Sequence, residues 1–348
     1  MRDGTHAWAA IALGALLTAT IAGDAHAAGA PYFQGKTITI LYGGGETGGY
    51  VTYARLLALH YGRFIPGEPR FIVKGAPGAG TLVAANQLYE LSRPDGTEIG
   101  TVGGGTATAE LFKTPNIRFD PRKFVWIGSL TSDVSLGISW HTSPVKTVAD
   151  ARKRQMIVGG GGPTSGNVLF PVVMNRLLGT KFKIITGYKS SAEVMLAVER
   201  GELEGVMSWN YSSVRASHMD LIRDHKVNLM VQFALKKHRE LPDVPLITDF
   251  ATNDEERAIL DLVFSRQEMG RPFMAPPKTP RSVAKILRDA FAALIKDPTF
   301  LADAERQHLD INQPMTGAEI DKLIAGLYAT PKAVVEKAVA ITDMTTFK

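Results

Sequence analysis

The sequence predicts an α/β protein of two lobes, each built on a mostly parallel sheet. Three observations lead there. The chain has 348 residues, about two domains at roughly 150 residues each. Short β-type runs are each followed by a glycine-rich turn and a helical segment, the order expected of parallel strands joined by helices. That order occurs before residue 130 and again after it, and a largely helical remainder holds one more strand. An apolar fraction of 45% provides for real cores and excludes a disordered or fibrous chain. The net charge of +5 comes from scattered residues, with no basic block longer than Lys236-Lys237-His238-Arg239. No nucleic-acid partner is expected from that distribution.

The N-terminal segment has an apolar stretch from Ala7 to Ala22 and then Ala25-His26-Ala27, a small-x-small site. It reads as a secretory signal peptide over 1–27, or else as a retained membrane anchor. With no cysteine in the chain, lipid attachment at cysteine and disulfides are both excluded. The first lobe opens with a strand at Thr37–Tyr42, the turn Gly43–Gly49 and a helix with Ala54, Leu57, Ala58 and Tyr61 on one face. Phe71–Val73 leads into Gly75–Gly80 and a helix, and Ile99–Val102 leads into Gly103–Gly105. Val125–Leu130 ends this part. The second lobe takes in 131–233. It contains a strand at Gln155–Val158, the turn Gly159–Asn167, an apolar helix over Val168–Leu178, and strands at Lys183–Thr186, Glu204–Met207 and Val227–Phe233. Ser190 with Glu193, and Thr316 with Glu319, have capping-box spacing. Residues 234–348 have too few strands for a sheet of their own, so they are expected to return to the first lobe, of which 28–130 is the first part. The chain then crosses between lobes at least twice.

The chemistry is first one of absences. The eight histidines stand apart, and His218 and His225 read as surface residues, so no metal site is expected. Gly162-Pro163-Thr164-Ser165-Gly166 departs from a nucleophile elbow, and no Asp and His partners can be nominated. Gly43–Gly49 lacks the Lys-Ser/Thr ending of a phosphate loop, and its match to a dinucleotide fingerprint is what any glycine-dense stretch gives. Neither an enzyme nor a cofactor is expected. What remains is four glycine turns, Gly43–Gly49, Pro77–Thr81, Gly103–Thr106 and Gly162–Asn167, that feed helix starts. Backbone N–H groups and the helix dipole favour an anion there, and such turns gather beyond the carboxyl ends of parallel strands. Each turn alone is equally well explained as a tight bend that needs glycine. Together, with Thr81, Thr106, Thr164 and Ser165 adding hydroxyls, they point to a small carboxylate held between two lobes.

At the same turns the chain resembles a known family, the periplasmic solute-binding proteins of tripartite tricarboxylate transporters, called Bug or TctC-type receptors. The resemblance runs from about Gly35 to Val339. It is carried by Lys36-Thr37-Ile38-Thr39-Ile40-Leu41, Lys74-Gly75-Ala76-Pro77-Gly78-Ala79-Gly80-Thr81, Pro94-Asp95-Gly96-Thr97, Gly187-Tyr188-Lys189-Ser190-Ser191, Leu241-Pro242-Asp243-Val244-Pro245 and Ala275-Pro276-Pro277-Lys278-Thr279-Pro280, in that order. It implies a type II-like periplasmic binding protein with a ligand cleft between its lobes. The implied function is to capture a small organic acid and deliver it to the permease subunits in the membrane. A stand-alone periplasmic sensor is the alternative of the same fold. Carried over residue by residue, the ligand contacts are Gly45, Gly48, Gly49, Tyr50, Gly78, Ala79, Gly80, Thr81 and Thr106 from the first lobe. Thr164, Ser165, Asn167, Tyr188 and Asn210 come from the second. A periplasmic monomer is expected. The first turn departs from the family pattern: its prolines are absent and Glu46 stands among the glycines. The family's acid near the end of the 204–207 strand is replaced by Trp209 or Asn210. Arg271 either pairs with a ligand carboxylate or sits on the surface. Trp209, Tyr50 and Tyr42 either stack on the ligand or belong to the core.

Overall fold

The computed structural model describes residues 30–162 and 165–343. The expected signal peptide over 1–27 lies outside them. The strands are β1 Thr37–Tyr42, β2 Arg70–Gly75, β3 Glu98–Thr101, β4 Val125–Ser129, β5 Ser135–Trp140, β6 Met156–Gly160, β7 Phe182–Thr186, β8 Gly205–Asn210, β9 Val227–Phe233, β10 Pro272–Ala275 and β11 Met315–Thr316. The helices are α1 Gly49–His60, α2 Leu82–Glu90, α3 Val148–Lys153, α4 Gly166–Leu178, α5 Ser191–Glu199, α6 Tyr211–Ser217, α7 Met219–Arg223, α8 Asp254–Phe264, α9 Arg281–Leu294, α10 Pro298–Arg306, α11 Gly317–Tyr328 and α12 Lys332–Thr342.

The strands form two sheets, in the orders β11-β4-β10-β3-β1-β2 and β7-β6-β8-β5-β9. β1 pairs in parallel with β2 and β3, and β6 in parallel with β7 and β8. β10 is antiparallel to β3 and β4, β11 to β4, and β5 to β8 and β9. Both sheets are therefore mixed, which corrects the expectation of mostly parallel ones. The reason is the chain's crossing between sheets. β1, β2, β3, β6, β7 and β8 each end at the turns that face the other sheet. β5 and β10 are the first strands after a crossing, so they start where the others end and run the opposite way.

The interior strand β1, Thr-Ile-Thr-Ile-Leu-Tyr, is buried at Ile38 and at every residue from Ile40 to Tyr42, where both faces of its sheet are covered. One cluster packs Ile38, Ile40 and Tyr42 against Val51, Tyr53 and Leu57 of α1 and Leu287 and Phe291 of α9. In α9, the buried residues Val283, Leu287, Ala290, Phe291 and Leu294 follow helical spacing. The second sheet has its own clusters, around Val158, Phe170, Met174 and Phe233 and around Leu136, Ile138, Val198 and Trp209. The C-terminal block divides. α9 and α11 pack on β4, whereas α12 packs on α8 and on α4 of the second sheet.

Candidate functional site

A cavity of about 190 Å³ lies between the two sheets. Its wall is formed by the residues that follow β1, β2 and β3 on one side and β6, β7 and β8 on the other. The connections between the sheets close its base. There Gly270 N–H donates to Thr131 O at 2.8 Å, Asp133 N–H to Gln267 O at 3.0 Å and Leu130 N–H to Arg271 O at 3.1 Å.

Most helices that start on this wall carry no side-chain N-cap, a feature shared away from it by α9 and α12, which follow Pro280 and Pro331. α3, α8, α10 and α11 are N-capped by the side chains of Thr147, Asn253, Asp297 and Thr316. α1, α2, α4 and α6 begin at Gly48, Thr81, Ser165 and Asn210, and none of these makes a side-chain cap. At α1 and α4 the first N–H groups and the positive end of the dipole are left to the cavity, whereas at α6 Tyr211 N–H donates to Val134 O at 2.7 Å and Ser212 N–H to Asp133 Oδ1 at 3.2 Å, and at α2 Leu82 N–H donates to Ala79 O. α5 borders the cavity too, but there Ser190 Oγ accepts from Glu193 N–H.

The turn into α2 is the most strained stretch. Gly78, Ala79, Gly80 and Thr81 have φ of 133°, 47°, 64° and 78°. A left-handed backbone is cheap for glycine and costs roughly 1–2 kcal/mol for other residues; a β-branched threonine there is an outlier. Such strain persists where surrounding structure enforces it, and it clusters at ligand clamps. Thr81 Oγ1 accepts from Gly103 N–H at 3.0 Å. A Cβ on Gly43 would lie 2.5 Å from Thr81 Cβ, which explains a glycine at the end of β1.

Two buried arginines stand at the base. Arg271 Nη1 is 3.2 Å from Asp133 Oδ2, with both side chains all but fully buried. Arg271 also donates to Ser212 Oγ at 2.7 Å, Ser213 Oγ at 3.2 Å and Gly270 O at 2.7 Å, and it lies over the rings of Tyr50 and Tyr53. Asp133 in turn accepts from Asn210 Nδ2 at 2.7 Å and from Ser212 Oγ at 2.6 Å. The first crossing between the sheets thus places an acid, Asp133, beside the end of β8. Arg266 is the other arginine. Burial pulls its pKa down to about 10, with Tyr50 opposing. Burial likewise raises the Tyr50 hydroxyl, so it stays protonated.

Gly45, Gly48, Gly49, Tyr50, Gly78, Ala79, Gly80, Thr81, Ser165, Asn167, Tyr188, Asn210 and Arg271 all line the cavity. Thr106 does not: it is buried in the turn after β3, whose glycines make room for the Arg266 loop. Thr164 lies outside the described residues. Arg271 faces the cavity and is not on the surface, but most of its donors are engaged by Asp133 and the two serines. Tyr42 belongs to the core, and Trp209 both packs in a core cluster and lines the cavity. His218, expected on the surface, lines the cavity with its ring edge-on to Trp209 at 5.0 Å. α6 brings it back beside the strand it left, a return that residue spacing does not reveal. Arg266, Ser208, Ser212 and Ser213 also line the wall without having been singled out, as does Ser190, expected only as a helix cap. Among the described residues no cluster of three or more His, Cys, Asp or Glu is placed to hold a metal.

A family model described as "Tripartite tricarboxylate transporter family receptor", TctC, matches residues 66–339. No curated protein matches the chain in sequence. Among solved structures, MatC from Rhodopseudomonas palustris with bound malate is 18% identical, with 89% of this chain and 100% of that one covered and a TM-score of 0.68. A second R. palustris protein, solved with adipate, is 15% identical over 87% and 97%, with a TM-score of 0.68. A TctC solute-binding protein from Polaromonas is 18% identical over 87% and 99%, with a TM-score of 0.59. These likenesses establish a two-lobed α/β binding-protein fold with mixed sheets.

Proposed function

The chain belongs to the tripartite tricarboxylate transporter receptor family, TctC, and from that premise we propose that the cavity between its sheets is the ligand cleft. It is an extracytoplasmic receptor for a small carboxylate, coupled to a transporter of this class, and not an enzyme. The observation that carries the cleft reading is the wall itself. Helices α1, α2 and α4 start there without side-chain caps, and among the described residues lining it there is no Asp or Glu. Uncapped helix starts in an acid-free, partly enclosed wall favour a carboxylate.

In this reading one lobe comprises 28–130 with most of 234–348, and the other 131–233. The ligand contacts are the amides of 45–50 and 78–81 on the first lobe, and Asn167, Tyr188 and Asn210 on the second, where the Ser165 hydroxyl is turned back onto Gly162 O. The segment 1–27 is removed on export, and the mature monomer hands its ligand to permease subunits. Malate in MatC and adipate in the second R. palustris protein mark the size range to try first. The test is a thermal-shift panel of small mono-, di- and tricarboxylates on protein lacking residues 1–27. A ligand that binds only the folded state stabilises it by about 2.7 kcal/mol at a hundred times its Kd. At least one acid should raise Tm in a concentration-dependent way, and a flat response to every acid would reject the cleft reading.

A further inference from the structure

Helix α6 belongs to the second sheet by chain order and leans on the first by contact. It follows β8 directly, and its Tyr211 and Val214 are buried in a second-sheet cluster with Leu136, Val206 and Trp209. Yet Ala216 packs against the core of the first sheet, and a Cβ on Gly49, where α1 starts, would fall 2.7 Å from Ser213 Oγ. Arg215 stands between these two contacts and reaches across. Its Nη1 donates to Asp310 Oδ1 at 3.3 Å, and its Nη2 is 3.9 Å from Glu305 Oε1. Both acids belong to the first lobe. Glu305 is on α10, and Asp310 follows Leu309, a buried member of the first-sheet core. Tyr53 of α1 fixes that position by donating its hydroxyl to Asp310 O at 2.9 Å.

The second lobe brings Asp310 another basic group. The segment after β9 is tied to that strand: His238 N–H donates to Gln232 Oε1 at 2.9 Å, and Gln232 Nε2 to Leu241 O at 2.7 Å. His238 Nδ1 accepts from Glu240 N–H at 3.2 Å, which puts the ring proton on Nε2, 3.7 Å from Asp310 Oδ2. One carboxylate of the first lobe therefore faces two basic side chains of the second. The side chains of Arg215 and Asp310 are only 19% and 14% exposed, so water and salt weaken this pair less than a surface one. Two residues on, Asn312 O accepts from Ser132 N–H of the first crossing at 2.7 Å. The cluster thus stands beside the joint between the lobes, where a small rotation becomes a larger displacement farther out.

We infer that Arg215 is a positioning residue that sets the angle between the lobes. By holding α6 onto Asp310 and Glu305, it keeps the two walls of the cavity at a spacing that one ligand can bridge. The inference goes beyond the cleft reading, and its test needs no ligand. The chain has no cysteine, so Arg93 of the first lobe and Lys183 of the second, both exposed, can be exchanged for cysteine and spin-labelled as a single pair. Pulsed electron resonance on protein lacking residues 1–27 then reads the distance between the lobes. Arg215→Gln and Asp310→Asn should each move the mean distance by about 3 Å or more, the scale of a domain rearrangement, and widen its distribution. Together they should fall short of the sum of the two shifts, because both remove the same contact. Arg215→Lys keeps the charge and should lie between wild type and the glutamine variant, and it serves should that variant not fold. The control is Arg288→Gln, which breaks an ion pair of 2.8 Å to Asp321 within the first lobe and should leave the distribution as in wild type. Wild-type distances in both Arg215→Gln and Asp310→Asn would overturn the inference. So would an equal shift in Arg288→Gln, since the movement would then follow from the loss of any ion pair.

Discussion

Thr81 Oγ1 accepts from Gly103 N–H, so the hydroxyl's own proton remains to be donated into the cavity. Ser165 is the reverse case. Its Oγ donates to Gly162 O at 2.6 Å, and a carboxylate, which only accepts, gains little from it. The two positions look alike in sequence, each a hydroxyl residue just after a glycine turn. Thr81→Val should weaken carboxylate binding about tenfold, the effect of a hydrogen bond to a charged group, and should also lower stability by about 1–3 kcal/mol because Gly103 N–H loses its partner. Ser165→Ala should change affinity by less than about threefold, since the bond it breaks stays within the turn. Isothermal calorimetry and denaturant melts on both variants check this, and a larger loss of affinity in the serine variant would reverse the assignment. Residue type and spacing revealed the turn at Pro77–Thr81, though not the left-handed backbone of Ala79 and Thr81. They did not reveal Arg266 or His218, because what places these side chains is Gly104, Gly105 and Trp209, distant in sequence and close only after folding.

Among the elements, caps and turn glycines were legible and strand directions were not. Thr316 and Glu319 close a reciprocal capping box as their spacing requires. At Ser190 only half of it forms, because Glu193 takes the Lys189 N–H, one residue ahead of the cap. The antiparallel strands β5 and β10 were hidden because direction is fixed by which lobe the chain comes from, a property of the whole path. Glycines also differ in ways that composition conceals. A Cβ on Gly48 would meet nothing closer than 3.6 Å, whereas on Gly104 it would meet two backbone oxygens, of Arg266 at 2.2 Å and of Met269 at 2.7 Å. Backbone cannot swing aside as a side-chain tip can, so the loop carrying Arg266 would have to shift. Gly104→Ala should therefore cost about 2 kcal/mol or more, in the range of overpacked cores, and Gly48→Ala about 0.5 kcal/mol or less. Urea unfolding of the two variants decides it. Equal midpoints would mean that the turn after β3 is not packed on the 265–269 segment as described.

For the whole molecule, the two halves of the cleft wall touch. A Cβ on Gly162 would lie 2.4 Å from the carbonyl carbon of Ala79 and 2.7 Å from Gly80 N, backbone that belongs to the opposite lobe. A Cβ on Gly45 would lie 3.3 Å from Ser190 Cβ across the same gap. Opposite these touches the crossings are tied by backbone bonds between 130–133 and 267–271, and by the buried Arg271–Asp133 pair. Removing one partner of such a pair costs about 3–5 kcal/mol, so this side is the fixed one, and separation would occur at the glycine turns. Gly162→Val places three carbons where only backbone approach fits, without touching the core of either lobe. It should leave the ligand-free melting temperature near that of wild type. It should weaken the best acid at least tenfold, because the amides of 78–81 no longer meet the second lobe. In small-angle scattering, the variant at an acid concentration that saturates wild type should keep a larger radius of gyration than wild type does. If it binds and compacts as wild type does, the contact between the turns is not what brings the two walls of the cleft onto one ligand.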